Sequence, residues 1–227
     1  MVARHVDYLV YLPSNFSIIG ENMERLFLEL DNLPINFVLL DRSVNYKDHT
    51  EVSTDEVYGG YIATKYLLSK GYKRIACITG PRNIHSSIER LEGYKKALTE
   101  YNVPFDESLV YEGDYSFPTA LEVSIKLLKR DDFDAIFAFN DVSAYAVYYV
   151  ADKIGKKVGL DISLVGYDDA KFSSIISPNL TSIRQDFDEM CKIAIKELLS
   201  EKTKKKIIKI KPTLVERNSV LINDIDI

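Results

Sequence analysis

The sequence predicts an α/β fold in which helices cover both faces of parallel sheets. Short apolar segments alternate with longer segments of helical period, and a strand-helix pair recurs roughly every thirty residues, which is typical of repeated βα units. Several of the short segments are continuous apolar runs, as expected for strands buried on both faces: LVYL, FVLL, IACIT, AIFAF and LVGY.

The alternation of the two patterns predicts the order of elements along the chain. Strands are predicted at residues 6–12, 36–41, 74–79, 108–112, 134–139, 163–167 and 206–211, and helices at 19–31, 57–70, 86–101, 119–129, 141–153 and 186–200. Asn140 or Asp141 can cap the fifth helix, and Pro118 suits the first turn of the fourth. Gly71 and Gly155 stand where glycines end helices.

Composition and charge favour a globular protein without a nucleic-acid surface. The 227 residues are 46% hydrophobic and 28% charged, and the net charge is −5. A DNA-binding surface would cluster Lys and Arg on one face. The one basic run, residues 202–211, is interpreted as a solvated segment leading into an exposed strand, with a phosphate-binding patch as the alternative.

The cellular location is predicted to be the cytoplasm. No apolar stretch reaches the 18 residues of a membrane span, and the amino-terminal segment MVARHVDYLVYLPSN lacks the features of a signal peptide. Cys77 and Cys191 stand in apolar patterns and are interpreted as core residues in a reducing compartment.

Polar residues follow almost every predicted strand. They read Pro13-Ser14-Asn15, Asp41-Arg42-Ser43, Gly80-Pro81-Arg82, Gly113-Asp114-Tyr115, Asn140-Asp141 and Asp168-Asp169. In open parallel sheets, ligands bind beyond the carboxyl ends of the strands. The recurrence predicts a ligand site at this edge.

The motifs of several enzyme classes are missing. The sequence has no G-x-G-x-x-G, no G-x-x-x-x-G-K-[ST] and no G-x-S-x-G, and its three histidines are scattered. We therefore expect no cofactor, no metal and no enzymatic activity. The pair Asp168-Asp169 leaves an alternative open: it suits general acid-base or metal chemistry as well as hydrogen bonds to ligand hydroxyls. Without an evident nucleophile or metal partner, binding is favoured.

Five segments carry the most specific sequence patterns: DEVYGGYIATKYLLSKGYKRIACITGP, ERLEGYKKAL, FDAIFAFNDVSAY, LDISLVGYDDAKFSSIISPNLTSIRQDF and PTLVERNSV. The most specific motifs within them are A-F-N-D, V-G-Y-D-D and P-x-L-T-S-I-R-Q-D. In this order, and over nearly the whole chain, the segments resemble the LacI/GalR family of transcriptional regulators. The resemblance implies a two-lobed periplasmic-binding-protein-like fold of type I, in which a parallel sheet flanked by helices forms each lobe. The cleft of that fold holds a small effector, commonly a sugar or a purine.

The resemblance also implies the roles of individual residues. Asp168 resembles the carboxylate that binds ligand hydroxyls, and Asp169 is expected to support it. Arg90, in R-L-E-G-Y, resembles an arginine that reaches the ligand, although alone it reads as a solvated helix residue. Asn140 resembles a cleft residue and can also be purely a helix cap. Tyr115 stands where the family often has an aromatic wall, or it covers the edge of the cleft.

Four further positions complete the implied ligand set. Ser86, Gln185 and Phe187 belong to a set close to that of sugar-sensing members, with Gln185 at a crossover between lobes. Asp41 matches less securely, and its alternative role is a turn residue that pairs with Arg42. The aromatic helix around Tyr145, Tyr148 and Tyr149 is a candidate dimer surface, with core packing as the alternative for at least one of them.

The predicted divisions are a partial first lobe at 1–52, a second lobe at 53–184, a return to the first lobe at 185–211, and a crossover strand and tail at 212–227. Full-length members begin with a helix-turn-helix head and further elements of the first lobe, and these have no counterpart here. We expect the missing strand to leave the strand at 6–12 with an unpaired apolar edge. A truncated or mis-started sequence is the favoured explanation, and strands borrowed from a partner are the alternative.

The expected function is effector sensing in a bacterial transcriptional regulator, a probable repressor. The effector is a small molecule, with a sugar favoured over a purine, and operator DNA is a partner only through the absent head. A homodimer is expected, and no membrane partner. The alternatives are a sugar-binding protein of a transport system with the same fold, and an α/β enzyme that uses Asp168 and Asp169.

Overall fold

The computed structural model describes residues 6–12, 21–32, 35–41, 49–200 and 206–221. The chain divides into two compact units. The first contains residues 1–55, 84–86 and 186–211, and the second contains residues 56–83, 87–185 and 212–227. Each unit is therefore assembled from segments that are distant in sequence.

Strands and helices alternate through most of the described chain. In order they are β1 (Tyr8–Tyr11), α1 (Glu21–Asp31), β2 (Asn36–Leu40), β3 (Thr50–Thr54), α2 (Glu56–Ser69), β4 (Ile75–Thr79), α3 (His85–Glu100), β5 (Val110–Glu112), α4 (Phe117–Leu127), β6 (Ala135–Ala138), α5 (Asp141–Lys153), β7 (Ser163–Asp168), β8 (Thr181–Arg184), α6 (Phe187–Leu198), β9 (Ile207–Ile210) and β10 (Thr213–Val215).

The first unit contains a parallel sheet with the strand order β1-β2-β3-β9. Val38 of β2 packs in a cluster with Met190 of α6, whereas the next residue, Leu39, packs with Phe27 of α1. Because successive strand residues point to opposite faces, the two helices cover opposite faces of the sheet. Within the described residues β1 pairs with β2 alone, and its side chains at Tyr8 and Val10 are exposed.

The second unit contains a six-stranded sheet with the order β10-β8-β7-β6-β4-β5, in which β10 alone is antiparallel to its neighbour. Cys77 of β4 packs with Leu67 of α2 and Tyr94 of α3. The adjacent Ile78 belongs to a separate cluster with Val147 of α5. Helices thus cover both faces, and the predicted α/β class with parallel sheets is confirmed.

Two strands of the structure were not among the predicted ones. β3 has the sequence TEVST and β8 the sequence TSIR, and neither is a continuous apolar run. Glu51 and Ser53 of β3 are nevertheless buried, and the Ser53 hydroxyl donates to the Glu51 carboxylate at 3.0 Å. Hydrogen bonding lets polar side chains occupy a buried strand, so a search for apolar runs misses them.

The predicted helix signals have clear structural counterparts. The Asn140 side chain accepts from the backbone N–H of Ser143 at 3.0 Å and caps α5, which runs over the predicted residues. Pro118 lies in the first turn of α4. Gly71 and Gly155 have φ of 92° and 73°, in the left-handed region that ends helices.

The two cysteines differ from the prediction in one respect. Cys77 is fully buried in the sheet, as expected, whereas Cys191 is exposed. Cys191 lies between Met190, which faces the core, and the exposed Lys192, so the helical period places it outside the buried stripe. The interpretation of Cys191 as a core residue is therefore wrong. No helix in the described part of the chain has the length and apolar character needed to cross a membrane.

Candidate ligand-binding site

Unusual backbone geometry marks the carboxyl ends of the strands in the second unit. Tyr115, Asp168 and Asp169 have positive φ values of 68°, 104° and 51°. Such conformations cost energy for residues other than glycine, and they persist only where surrounding contacts enforce them. Two of the three, Tyr115 and Asp168, are residues predicted to bind a ligand. The strain therefore falls at the edge where the sequence predicts a site.

A close crossing of two helices positions Arg90. A Cβ atom on Gly60 of α2 would lie 2.1 Å from the backbone oxygen of Arg90, and one on Gly93 of α3 would lie 2.1 Å from that of Val57. Two glycines thus allow the backbones of α2 and α3 to approach each other. The approach brings Glu56, the first residue of α2, opposite the Arg90 side chain.

Arg90 is buried and held by a two-point ion pair. Its Nε and Nη2 atoms donate to the two carboxylate oxygens of Glu56, each at 2.8 Å, and Nη1 donates to the Phe139 carbonyl. The guanidinium also stacks on the Tyr167 ring, with Cζ 3.6 Å from the ring centre. Tyr167 in turn donates its hydroxyl proton to Glu56 at 2.5 Å. Arg90 is therefore not the solvated helix residue of the alternative interpretation.

Asp168 is partly buried at the end of β7, and Gln185 donates its side-chain amide N–H to the carboxylate at 2.7 Å. The pKa of the Asp168 carboxyl is raised to about 7, mainly by burial; the neighbouring carboxylates of Asp141 and Glu56 act in the same direction, and Arg90 and the Gln185 hydrogen bond act against it. A carboxyl group that titrates near neutrality accepts hydrogen bonds from hydroxyls in its ionised form.

Asp169 supports this loop through ion pairs. Its carboxylate lies 2.6 Å from the guanidinium nitrogens of both Arg184 and Arg217, and its side chain is 5% exposed. Its backbone N–H donates to the Ser182 hydroxyl at 3.1 Å. These contacts tie the residue after Asp168 to β8 and to the segment after β10, in agreement with the supporting role expected for it.

Asp141 holds the other side of the same loop. Its carboxylate accepts from the hydroxyls of Ser173 at 2.5 Å and Ser182 at 2.7 Å, and from the backbone N–H of Ala170 at 2.8 Å. Burial raises the pKa of Asp141, while these hydrogen bonds lower it. Asp141 therefore fixes the backbone of the loop that follows Asp168.

Asn140 and Tyr115 are joined through the backbone. The Asn140 side-chain amide donates to the Tyr115 carbonyl at 3.0 Å while its oxygen caps α5. A Cβ atom on Gly80 would lie 2.1 Å from the Tyr115 ring, so the ring rests directly against that glycine. The Tyr115 ring centre is 5.9 Å from Arg90 Cζ. Five predicted residues of the second unit (Arg90, Tyr115, Asn140, Asp168 and Gln185) thus lie at one edge of its sheet.

The other three predicted residues belong to the first unit. Ser86 lies in the first turn of α3, and Phe187 is the first residue of α6 with 44% of its surface exposed. Asp41 follows β2 with φ of 73°, and its backbone N–H donates to Val52. The alternative in which Asp41 pairs with Arg42 lies outside the described residues.

Sequence reasoning missed Glu56, Tyr167 and Asp141 as partners in the site. Tyr167 and Asp141 stand beside predicted site residues, but the sequence predicts only a strand residue at Tyr167 and a helix cap at Asp141. Glu56 is 34 positions from Arg90, and no spacing connects them. The glycines of V-Y-G-G-Y and L-E-G-Y were the available signal, because paired glycines on two helices indicate a close crossing.

Two cavities of the second unit lie away from this edge. One of about 550 Å³ is lined by Lys73, Tyr101 and Phe105 among others, and one of about 500 Å³ by Lys156, Leu160 and Pro178 among others. Neither contains a predicted site residue. No group of three or more metal-binding side chains suitable for an ion occurs in the part of the chain that the structure describes.

Comparisons with known proteins agree on the kind of domain. Residues 64–220 match a family model described as a periplasmic binding protein-like domain. The HTH-type transcriptional repressor PurR of Aliivibrio salmonicida is 31% identical over 227 residues, 97% of this chain and 66% of that protein. The HTH-type transcriptional regulator DegA of Bacillus subtilis is 38% identical over 160 residues, 70% of this chain and 47% of that protein.

Among solved structures, a complex of the transcriptional regulator CelR with cellobiose superimposes with a TM-score of 0.81 at 30% identity, covering 95% of this chain and 66% of that one. The chain therefore spans less than two thirds of the length of these relatives. The matched segment and the ordered motifs around Asn140 and Asp168 carry the family assignment. The chain belongs to the periplasmic-binding-protein-like family, as an effector-binding domain of the LacI/GalR type.

Proposed function

We propose that the chain senses a small neutral sugar for a transcriptional regulator, and that the sugar binds at the carboxyl edge of the second unit. One observation carries the proposal: the Asp168 carboxylate stands with Gln185 and a buried arginine, Arg90, at the strained ends of the strands. Such sites combine a few oriented polar groups with an aromatic surface, which Tyr115 supplies.

The available hydrogen-bonding groups match the hydroxyls of a sugar. Three of the five N–H groups of Arg90 are engaged by Glu56 and the Phe139 carbonyl, so two remain to donate. Asp168 accepts, and Asn140 has a second amide N–H beside the one that contacts Tyr115. Neighbouring hydroxyls, each donor and acceptor at once, satisfy such a mixed set. The cellobiose bound to CelR supports the choice of a sugar.

Ligand binding is expected to change the balance between conformations of the regulator and hence its affinity for DNA. DNA binding itself is proposed for a head domain outside these 227 residues, as the names of the relatives indicate. Ser86, Phe187 and Asp41, which belong to the first unit, are proposed as ligand-binding residues on the resemblance to the family alone.

A homodimer is proposed as the assembled form. Exposed apolar side chains supply a surface on the second unit, namely Tyr149 of α5 and Phe172 and Ile175 beyond β7, which are 51%, 51% and 72% exposed. Apolar exposure of this kind marks protein contacts. The core alternative applies to Tyr145 and Tyr148, which are partly buried and donate or share hydrogen bonds with Ser173 and Pro178.

A ligand screen tests the proposed function. The chain is mixed with ribose, glucose or cellobiose, with sugar phosphates, or with the purines hypoxanthine and guanine, and unfolding temperature is measured against concentration. A neutral sugar should raise it saturably, because a ligand at about a hundred times its Kd stabilises the folded state by about 2.7 kcal/mol. Stabilisation by purines alone would contradict the proposal that the ligand is a sugar. Hydrolysis of a sugar by the wild type that is lost in Asp168→Asn would favour the alternative that the chain is an enzyme.

A further inference from the structure

The ion pair between Glu56 and Arg90 limits what can bind beside Asp168. Carboxylates and phosphates are recognised by arginine through two parallel N–H groups of its planar fork. In this chain the Nε and Nη2 groups form such a pair with Glu56, at 2.8 Å each. Both side chains are buried, Arg90 with 6% and Glu56 with 7% of its side chain exposed. An external anion can use this fork only by displacing a buried carboxylate.

Three other arginines at this edge are also engaged. Arg184 and Arg217 share the carboxylate of Asp169, and Arg82, which follows β4, pairs with both Glu107 and Glu112. These three arginines and three carboxylates together carry no net charge, and the exposed Lys171 in the loop after β7 stands outside these pairs.

The carboxylates at the same edge are not all neutralised in this way. Asp141 and Asp168 are hydrogen-bonded to hydroxyl, amide and backbone groups, and within the described residues neither has a cationic partner closer than 4 Å. When Asp141 and Asp168 are ionised, the electrostatic balance of this edge is therefore negative. A bound anion would lose its hydration and meet like charges, which is costly in a partly buried site.

We propose that Glu56 is the specificity-determining residue of this site, because it occupies the fork of Arg90 and so restricts the ligand group beside Asp168 to a neutral or basic one. Phosphate and carboxylate groups are excluded from that position. The two remaining N–H groups of Arg90 lie on Nη1, which already donates to the Phe139 carbonyl, and on Nη2, which already donates to Glu56, and we expect them to serve hydroxyl or carbonyl acceptors. This inference rests on the proposed ligand site, and it states which chemical groups that site accepts and which it excludes.

The test uses inorganic phosphate, so that it does not depend on finding the natural ligand. The side-chain Nε–H resonance of Arg90 is followed by NMR at pH 8 while phosphate replaces chloride at constant ionic strength. The wild type should show no saturable shift. Glu56→Gln, which removes the charge and releases at least one of the two N–H groups, should bind phosphate at least about tenfold more tightly than the wild type. Glu92→Gln, at an exposed position of α3, the helix that carries Arg90, is the matched control and should behave as the wild type.

Two results would overturn the inference. One is saturable phosphate binding at Arg90 in the wild type, and the other is no gain of phosphate binding in a folded Glu56→Gln protein. If Glu56→Gln does not fold, Glu56→Asp takes its place, since it keeps the buried charge but its shorter side chain cannot reach both nitrogens. It should then gain phosphate binding by a smaller factor, and no gain would overturn the inference as well.

Paired ligands separate this inference from the proposed function. Binding of glucose is compared with that of glucose 6-phosphate, and that of ribose with ribose 5-phosphate, by titration calorimetry. If the proposed function is right and the inference wrong, a phosphorylated sugar binds and its affinity falls at least tenfold in Arg90→Lys. If no sugar of either kind binds, the proposed function fails, while the phosphate titration of Glu56→Gln still decides the role of Glu56.

Discussion

The two ends of the six-stranded sheet in the second unit use charged residues in different ways. At the amino end, Arg74 pairs with Asp106 and Asp132, and Arg130 also pairs with Asp132, with most of these side chains about 40% exposed or more. At the carboxyl end, Arg90 and Glu56 form an ion pair with side chains only 6% and 7% exposed. The first arrangement is screened by water, whereas the second holds desolvated charge in a fixed geometry.

The ends differ in backbone as well. The carboxyl end has three positive-φ residues, Tyr115, Asp168 and Asp169, whereas the amino end has Asn102 among the described residues, a residue type that tolerates this conformation. The cavity of about 550 Å³ lies at the amino end, beside Arg74 and Phe105. This cavity and the site chemistry therefore lie at opposite ends of one sheet. We give more weight to the chemistry, because desolvated charge and enforced strain persist at functional sites.

The largest expected difference between the ends concerns stability. Glu56→Ala should lower the free energy of unfolding by about 3 kcal/mol, because it leaves the Arg90 guanidinium buried without its counter-charge. Asp132→Ala at the amino end should cost far less, since its partners remain solvated. Urea unfolding of both variants checks this, and equal losses would remove the distinction between the two ends.

The second prediction concerns the affinity for the neutral sugar that gives the largest stabilisation in the screen. Asp168→Asn should weaken binding by about tenfold or more, because a charged hydrogen-bond acceptor is replaced by a neutral one. Phe105→Ala, in the cavity at the amino end, serves as the control and should leave the affinity unchanged. Calorimetric titration measures both, and the reverse pattern would place the site in that cavity.

The third prediction concerns the pH dependence of the same affinity. With the pKa of Asp168 near 7, the carboxylate is ionised at pH 8 and mostly protonated at pH 6. Binding of hydroxyls to the ionised form should therefore weaken on acidification, by up to about tenfold over these two pH values. Asp168→Asn should show a flat profile. A wild-type affinity that rises on acidification would contradict the assignment of Asp168 as an acceptor.

The last prediction concerns stability without ligand. Because burial raises the pKa of Asp168 in the folded state, folding keeps a proton that the unfolded chain loses above about pH 4. The stability that Asp168 contributes is thus present at low pH and lost as pH rises towards 7. Asp168→Asn should then be more stable than the wild type at pH 8, and this gain should be smaller at pH 5. Thermal unfolding of both proteins at both pH values measures this difference. A larger stability gain of Asp168→Asn at pH 5 than at pH 8 would contradict the raised pKa of Asp168.

The fold was largely predictable because its strongest signals are local. Continuous apolar runs and helix caps such as Asn140 depend on neighbouring residues, and they gave the α/β class and most elements. β3 and β8 escaped because Glu51, Ser182 and similar polar residues are buried by virtue of hydrogen bonds that only the folded chain forms. Domain boundaries remain a prediction, as does the cytoplasmic location.

The candidate site was predictable in part for a different reason. The resemblance to a family pointed to Asp168 and Arg90, and it implied that Arg90 reaches the ligand. In the structure the carboxylate of Glu56 occupies the Nε and Nη2 donors of Arg90. No local pattern predicts this pair, because the crossing of α2 and α3 brings together residues that are far apart in the chain. Tertiary packing thus decides which chemistry a matched motif can perform.

We propose that a small neutral ligand binds at the carboxyl edge of the second unit. Amide NMR spectra recorded during titration with the neutral sugar from the screen show where it binds. We expect saturable shifts at Tyr115, Asn140, Asp168 and Gln185, with Tyr101 and Phe105 unaffected. Shifts confined to Tyr101 and Phe105, with Asp168 unchanged, would contradict it.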